Sequence, residues 1–192
     1  MAYLWALLGQ GVLPSTLEHI PSGERRVLRT MVTRRLNTPM TSSAGRLFDA
    51  VSALLGVCQK TSYEAQAAIE LEMVARPGTD AVTPYPYTMT AIEGVQQWGR
   101  VDSSLTATSE IGLAPLFRGI LGDMSAGVPV PEIAWRFHLT MAHLIVDTSE
   151  RLRAQTGLQT VALSAGCFQN CLLISLVLPL LEEHTFRTLL HH

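Results

Sequence analysis

The sequence holds too few cysteines to staple itself: Cys58, Cys167 and Cys171 are three in 192 residues, an odd number that no intramolecular disulfide framework uses. A reducing, cytoplasmic setting is therefore the simpler expectation. The chain is also poor in charge, with 16% Asp, Glu, Lys and Arg and a formal balance of -2, so it offers no electrostatic handle for nucleic acid. Long hydrophobic runs are missing too. The longest, residues 171–181, is interrupted by Ser175 and Pro179 and falls short of the roughly 20 residues that a bilayer span needs, so no membrane partner is expected. Met1-Ala2-Tyr3-Leu4 carries neither a basic leader segment nor a cleavage site, so no secretory signal is expected. Repeats and low-complexity tracts are absent, excluding solenoids. What is there is 47% hydrophobic, enough for the core of one domain or one lobe of a larger one. With so little charge to cover it, some apolar surface should face a neighbour.

The periodicity is mostly helical. Residues 23–36 set Val27, Leu28, Met31 and Val32 among five arginines, the pattern of an amphipathic helix whose basic face meets water. A second helix is expected from Ser42 or Ser43, either a good N-cap, to Gly56. Leu47, Val51, Leu54, Leu55 and Cys58 form its core stripe, and Asp49 points the other way, free to meet a ligand. A third should open at the capping-box pattern Thr61-Ser62-Tyr63-Glu64 and run to about Ala75. Residues 77–109 read as an exposed connector or insertion, with Pro84, Pro86, Gly94, Gly99 and a Ser/Thr-rich run, and a short strand around residues 85–90. Pro129 and Pro131 then introduce the longest helical pattern, Ile133, Phe137, Met141, Leu144, Ile145, Thr148 and Leu152, which ends at Gly157.

The last part reads as a βαβ unit. Thr160-Val161-Ala162-Leu163 is a strand, Ser164-Ala165-Gly166 a small-residue turn, a helix follows from about Phe168, and residues 185–190 form the next strand. Ligands of α/β sheets gather at strand carboxyl ends, and small residues there let backbone approach an anionic group. By spacing alone such a turn is more often plain connectivity. His138 and His143, five positions apart on one helix, face different ways and read as packing or surface residues. Cys167 and Cys171 lack a third ligand nearby, so no metal site is assigned. His191-His192 has no visible partner.

Four blocks together are more specific. Thr41-Ser42-Ser43-Ala44-Gly45-Arg46-Leu47-Phe48-Asp49-Ala50-Val51, then Ser62-Tyr63-Glu64-Ala65-Gln66-Ala67-Ala68-Ile69-Glu70-Leu71-Glu72, then Arg136-Phe137-His138, then Leu163-Ser164-Ala165-Gly166-Cys167-Phe168-Gln169-Asn170 stand in the order of the HypF-type carbamoyltransferases. The sequence resembles that family over nearly its whole length.

The resemblance implies an α/β, helix-rich piece of an actin- and sugar-kinase-like, ribonuclease H-like ATPase domain, mainly its second lobe, truncated at both ends. It implies that carbamoyl phosphate and ATP give carbamoyl-adenylate in a separate domain. The carbamoyl group then passes to the carboxy-terminal cysteine of a HypE-type acceptor during hydrogenase maturation. In the same reading Asp49 takes the ribose hydroxyls, Glu64 and Ala65 lie at a close approach to the nucleotide, Ser164, Ala165 and Gly166 pass beside it, and Asn170 contacts the nucleoside. Glu64 has an equal structural reading as partner of Thr61 in the capping box. A divalent metal of the full domain would be held by residues outside this chain, no catalytic residue is assigned, and no turnover is expected from this segment without the rest of its polypeptide. Ala65 and Ala165 stand where the family has glycine; a positive φ at either would cost about 1 kcal/mol. The alternative to an enzyme segment is a non-catalytic remnant, or a nucleotide-binding or interaction module of the same fold.

Overall fold

The computed structural model describes residues 1–9, 14–79, 82–92 and 108–190. They fall into two compact units: Met1–Val82 with Phe117–Arg136, and Thr83–Leu116 with Phe137–His192. Gly94, Gly99, most of the Ser/Thr-rich run and the terminal histidine pair lie outside the described residues.

In the first unit, helix α1 (Ala2–Leu8) buries Leu4 and stacks Tyr3 on Phe117, with ring centroids 5.8 Å apart. Helix α2 (Ser22–Arg34) forms as expected and ends where Arg35 turns left-handed at φ 53, letting the Leu36 amide reach back to the Met31 carbonyl at 2.9 Å. Its apolar stripe is another matter: no residue of α2 is buried, and Val27 is 59% exposed.

Helix α3 (Ala44–Leu54) has Ser43 as its N-cap, the hydroxyl accepting the Arg46 amide at 3.4 Å. All five expected core residues, Leu47, Val51, Leu54, Leu55 and Cys58, are buried, joined by Phe48. Gly56 follows at φ 74, the left-handed stop that a side chain would resist. Helix α4 (Gln66–Val74) packs on α3 through Ala67 and Leu71, but starts later than its capping pattern predicts. Ala65 is left-handed at φ 61, ψ 5, and Gln66 reaches back so that its Oε1 accepts the Ser62 amide at 2.7 Å. The helix therefore starts past Thr61 and Glu64, with Ala65 as its N-cap and no side-chain cap bond, and Glu64 is exposed.

Helices α5 (Ala114–Ser125) and α6 (Val130–Thr156) each contribute residues to both units. The periodic reading of 129–157 is met closely, with Gly157 at φ 73 ending α6 and Ile133, Phe137, Met141 and Leu144 buried along it. Within the first unit Arg136 donates to Asp123 at 2.9 Å, both side chains only partly exposed.

In the second unit, strands β1 (Thr88–Ile92) and β2 (Thr108–Gly112) pair antiparallel, Thr88 opposite Gly112 and Ile92 opposite Thr108. The segment leading into them is held down. Tyr85 is 1% exposed, and its amide donates to the Thr140 hydroxyl at 2.8 Å. The Tyr87 hydroxyl donates to Asp147; burial first, then this bond and the carboxylate charge, push its phenol far above the ordinary value.

Strand β3 (Thr160–Leu163) is followed by a 3-10 turn (Gly166–Gln169), helix α7 (Cys171–Glu183) and strand β4 (Arg187–Leu190), which pairs parallel to β3 with Thr160 opposite Arg187. The βαβ unit is therefore as read, and the fold class is α/β and helix-rich. Helix α7 begins three residues after Phe168 because Asn170 stays extended as its cap, Oδ1 accepting the Leu173 amide at 2.7 Å. Arg153 closes the far end, its guanidinium 4.2 Å from the Phe186 ring centroid and 2.7 Å from the His184 carbonyl. No helix among the described residues is long and apolar enough to cross a membrane.

Candidate functional site

The turn between β3 and α7 leaves its backbone bare. Ser164, Ala165 and Gly166 are all exposed at the carboxyl end of β3. Ala165 sits at φ 86, ψ 169, a region that only glycine enters freely and that costs a side-chain-bearing residue about 1–3 kcal/mol. Ala165 holds this conformation despite its methyl group. One residue on, a Cβ built onto Gly166 would meet nothing within 4 Å, so no packing inside the protein demands glycine there. The Phe168 amide closes the turn on the Ala165 carbonyl at 3.0 Å, and the Asn170 amide on the Cys167 carbonyl at 3.4 Å.

Asn170 is 9% exposed, and both ends of its carboxamide are occupied. Oδ1 caps α7, while Nδ2 lies 3.1 Å from Nε2 of His138 on α6. His138 is fully buried, with its ring edge-on to Phe137 at 5.9 Å. By sequence His138 reads as a packing or surface histidine with no part in the site. A signal was available: Ala134 and Ala142, one helical turn to either side, are both fully buried, and small residues there leave width for a ring on that face.

The other expected site residues belong to the first unit. Asp49 is half-buried on α3, and its Oδ2 accepts from Arg46 Nη1 at 3.1 Å. With Arg46 72% exposed, this pair contributes well under about 1 kcal/mol to stability. Tyr3 shares the neighbourhood: burial raises its phenol, the charge of Asp49 raises it further, and Arg46 opposes. Ala65 and Glu64 stand just ahead of α4, which packs on α3. The seven residues thus divide into Asp49, Glu64 and Ala65 in one unit and Ser164, Ala165, Gly166 and Asn170 on one turn of the other. Among the described residues no group of three or more His, Cys, Asp and Glu side chains is placed to hold a metal ion. All three cysteines are unpaired.

With this geometry in place, comparison with known proteins is direct. The family described as "Carbamoyltransferase, Kae1-like Domain, second subdomain" matches residues 1–192. The chain is similar to Carbamoyltransferase HypF of Rhodobacter capsulatus, 32% identical over 169 residues that cover 88% of this chain and 20% of that protein. It is also similar to a Carbamoyltransferase HypF homolog of Cupriavidus necator, 36% identical over 148 residues, 77% of this chain and 35% of that one. The chain therefore spans about a fifth to a third of these relatives. Among solved structures, full-length HypF in a phosphate- and nucleotide-bound form superposes with a TM-score of 0.77 at 29% identity, covering 92% of this chain and 25% of the other.

Proposed function

Since this chain belongs to the HypF carbamoyltransferase family, as the second subdomain of its Kae1-like domain, we propose that it holds the adenine nucleotide from which a carbamoyl group is transferred. The observation that carries the reading is the turn after β3, with Ala165 held at φ 86 and Gly166 open to any approach. A backbone strained in this way persists only where its surroundings over-determine it. Retention of that geometry despite the Ala165 methyl favours a working site over a remnant. The likeness to a nucleotide-bound HypF structure supports the same reading.

In this proposal residues 164–166 pass their backbone alongside the nucleotide. Asp49, an acceptor-only carboxylate steadied by Arg46, takes the ribose hydroxyls. Glu64 and Ala65 lie at a second close approach, where the left-handed Ala65 again keeps a glycine-like path. Asn170, expected to contact the nucleoside with its amide, instead braces the turn, because its carboxamide is already engaged on α7 and His138. Bound carbamoyl-adenylate, made from carbamoyl phosphate and ATP, supplies an activated carbonyl carbon. Attack by the carboxy-terminal thiolate of a HypE-type protein forms the C–S bond, breaks the C–O bond to the phosphate and releases AMP.

Calorimetric titration with ATP and with 2',3'-dideoxy-ATP tests the assignment. The wild-type chain should prefer ATP. Asp49→Ala should lose about tenfold in ATP affinity and bind both nucleotides alike, the effect of removing a charged hydrogen-bond acceptor. An unchanged preference in that variant, or no ATP binding by the folded wild type, would contradict the reading.

A further inference from the structure

We infer that His138 is a positioning residue for the turn after β3, acting through Asn170 from a place that the ligand never touches. The protonation pattern follows from one fixed donor. The Leu173 amide can only donate, so the atom of Asn170 facing it at 2.7 Å is the carbonyl oxygen. Nδ2 must then be the atom turned toward His138, and it too can only donate. Nε2 of His138, 3.1 Å away, is left as the acceptor, so the ring is neutral and carries its proton on Nδ1. Flipping the amide would set Nδ2 against the Leu173 N–H, and protonating Nε2 would set N–H against N–H. One tautomer satisfies both contacts.

The link matters because it fixes the buried end of a turn whose first three residues are exposed. Residues 164–166 pack no buried side chain, and the bonds of the turn itself are the backbone pairs Phe168 to Ala165 and Asn170 to Cys167. Asn170 is the buried residue that ends the turn, and His138 reaches it from 32 positions earlier in the chain. His138 is fully buried, which excludes direct contact with a ligand and makes its role one of placement. For nucleotide binding, the inference rests on the function proposed above; for the geometry of the turn, it stands independently.

Two substitutions in the 192-residue chain test it. His138→Leu removes the acceptor, whereas His138→Gln restores an oxygen close to the place of Nε2. In His138→Leu, exchange of the Leu173 amide should accelerate about tenfold and affinity for ATP with magnesium should fall about fivefold, as expected when a buried donor loses its partner. His138→Gln should recover most of both. In the wild type, two-bond proton–nitrogen NMR correlations should show His138 protonated at Nδ1 and bare at Nε2. A proton on Nε2, wild-type exchange and affinity in a folded His138→Leu, or a glutamine variant no better than leucine would each overturn the inference. If the wild type binds no ATP while the exchange difference and the tautomer hold, the nucleotide assignment fails and the positioning role stands. Should His138→Leu not fold, the tautomer and the behaviour of His138→Gln decide.

Discussion

Replacing Asn170 with alanine will destabilise the β3–α7–β4 part of the chain by about 2–4 kcal/mol, because one side chain performs two buried tasks. Loss of an N-cap costs about 0.5–2 kcal/mol, and leaving the buried Nε2 of His138 without its donor adds about 1–3 kcal/mol. Asn170→Ser separates the two. The hydroxyl still accepts the Leu173 amide but is too short for His138, so this variant should show roughly half the loss. Urea unfolding, followed by hydrogen exchange at amides of β3 and α7, reports the difference locally. If alanine and serine cost the same, the contact with His138 contributes nothing and Asn170 is only a cap.

Ala165→Gly will raise stability by about 1–2 kcal/mol. The strain at φ 86, ψ 169 is worth about 1–3 kcal/mol. Glycine gives back about 0.4–1 kcal/mol through the larger entropy of its unfolded chain. For a chain of this length the net gain should raise the melting temperature by about 2–8 °C. Ala65→Gly should gain less, because the left-handed region at φ 61 is less costly than the one at Ala165. Loss of stability on placing glycine at 165 would mean that the backbone is not held in that region.

These two positions also mark how far the residues speak for themselves. Strand β3 and helix α6 were legible because a short apolar run or long 3.6-residue periodicity coincided with punctuation by Gly157 and the prolines at 129 and 131. The stripe of α3 was legible for the same reason, and its burial matches residue for residue. Helix starts were harder. At α4, Thr61 and Glu64 have the right spacing for a capping box, yet the helix starts only at Gln66, whose side chain accepts the Ser62 amide. Local pattern cannot rank two such starts.

Helix α5 went unassigned: its start lies among small residues near Pro115, and its core contribution is a brief Leu116, Phe117 and Ile120. The face of α2 was read correctly as apolar, but pattern alone does not say whether a partner covers it. The candidate site divided in the same way. Asp49 and the turn after β3 were visible as motifs with a role attached, whereas His138 stood in a motif without one, because its partner is distant in sequence and only the fold brings the ring to the amide.

The most direct test follows the amide resonances of Ser164, Ala165 and Gly166 in the 192-residue chain while ATP is added, in the wild type and in Gly166→Val. Nothing within 4 Å of the built Cβ resists a side chain at 166, so the valine variant should fold as the wild type does. In the wild type the three amides should shift and saturate with ATP, and the added isopropyl group should suppress binding by at least about tenfold by filling the space kept for the nucleotide. Resonances of the turn that stay in place at saturating ATP, or a Gly166→Val chain that binds as tightly as the wild type, would contradict the account.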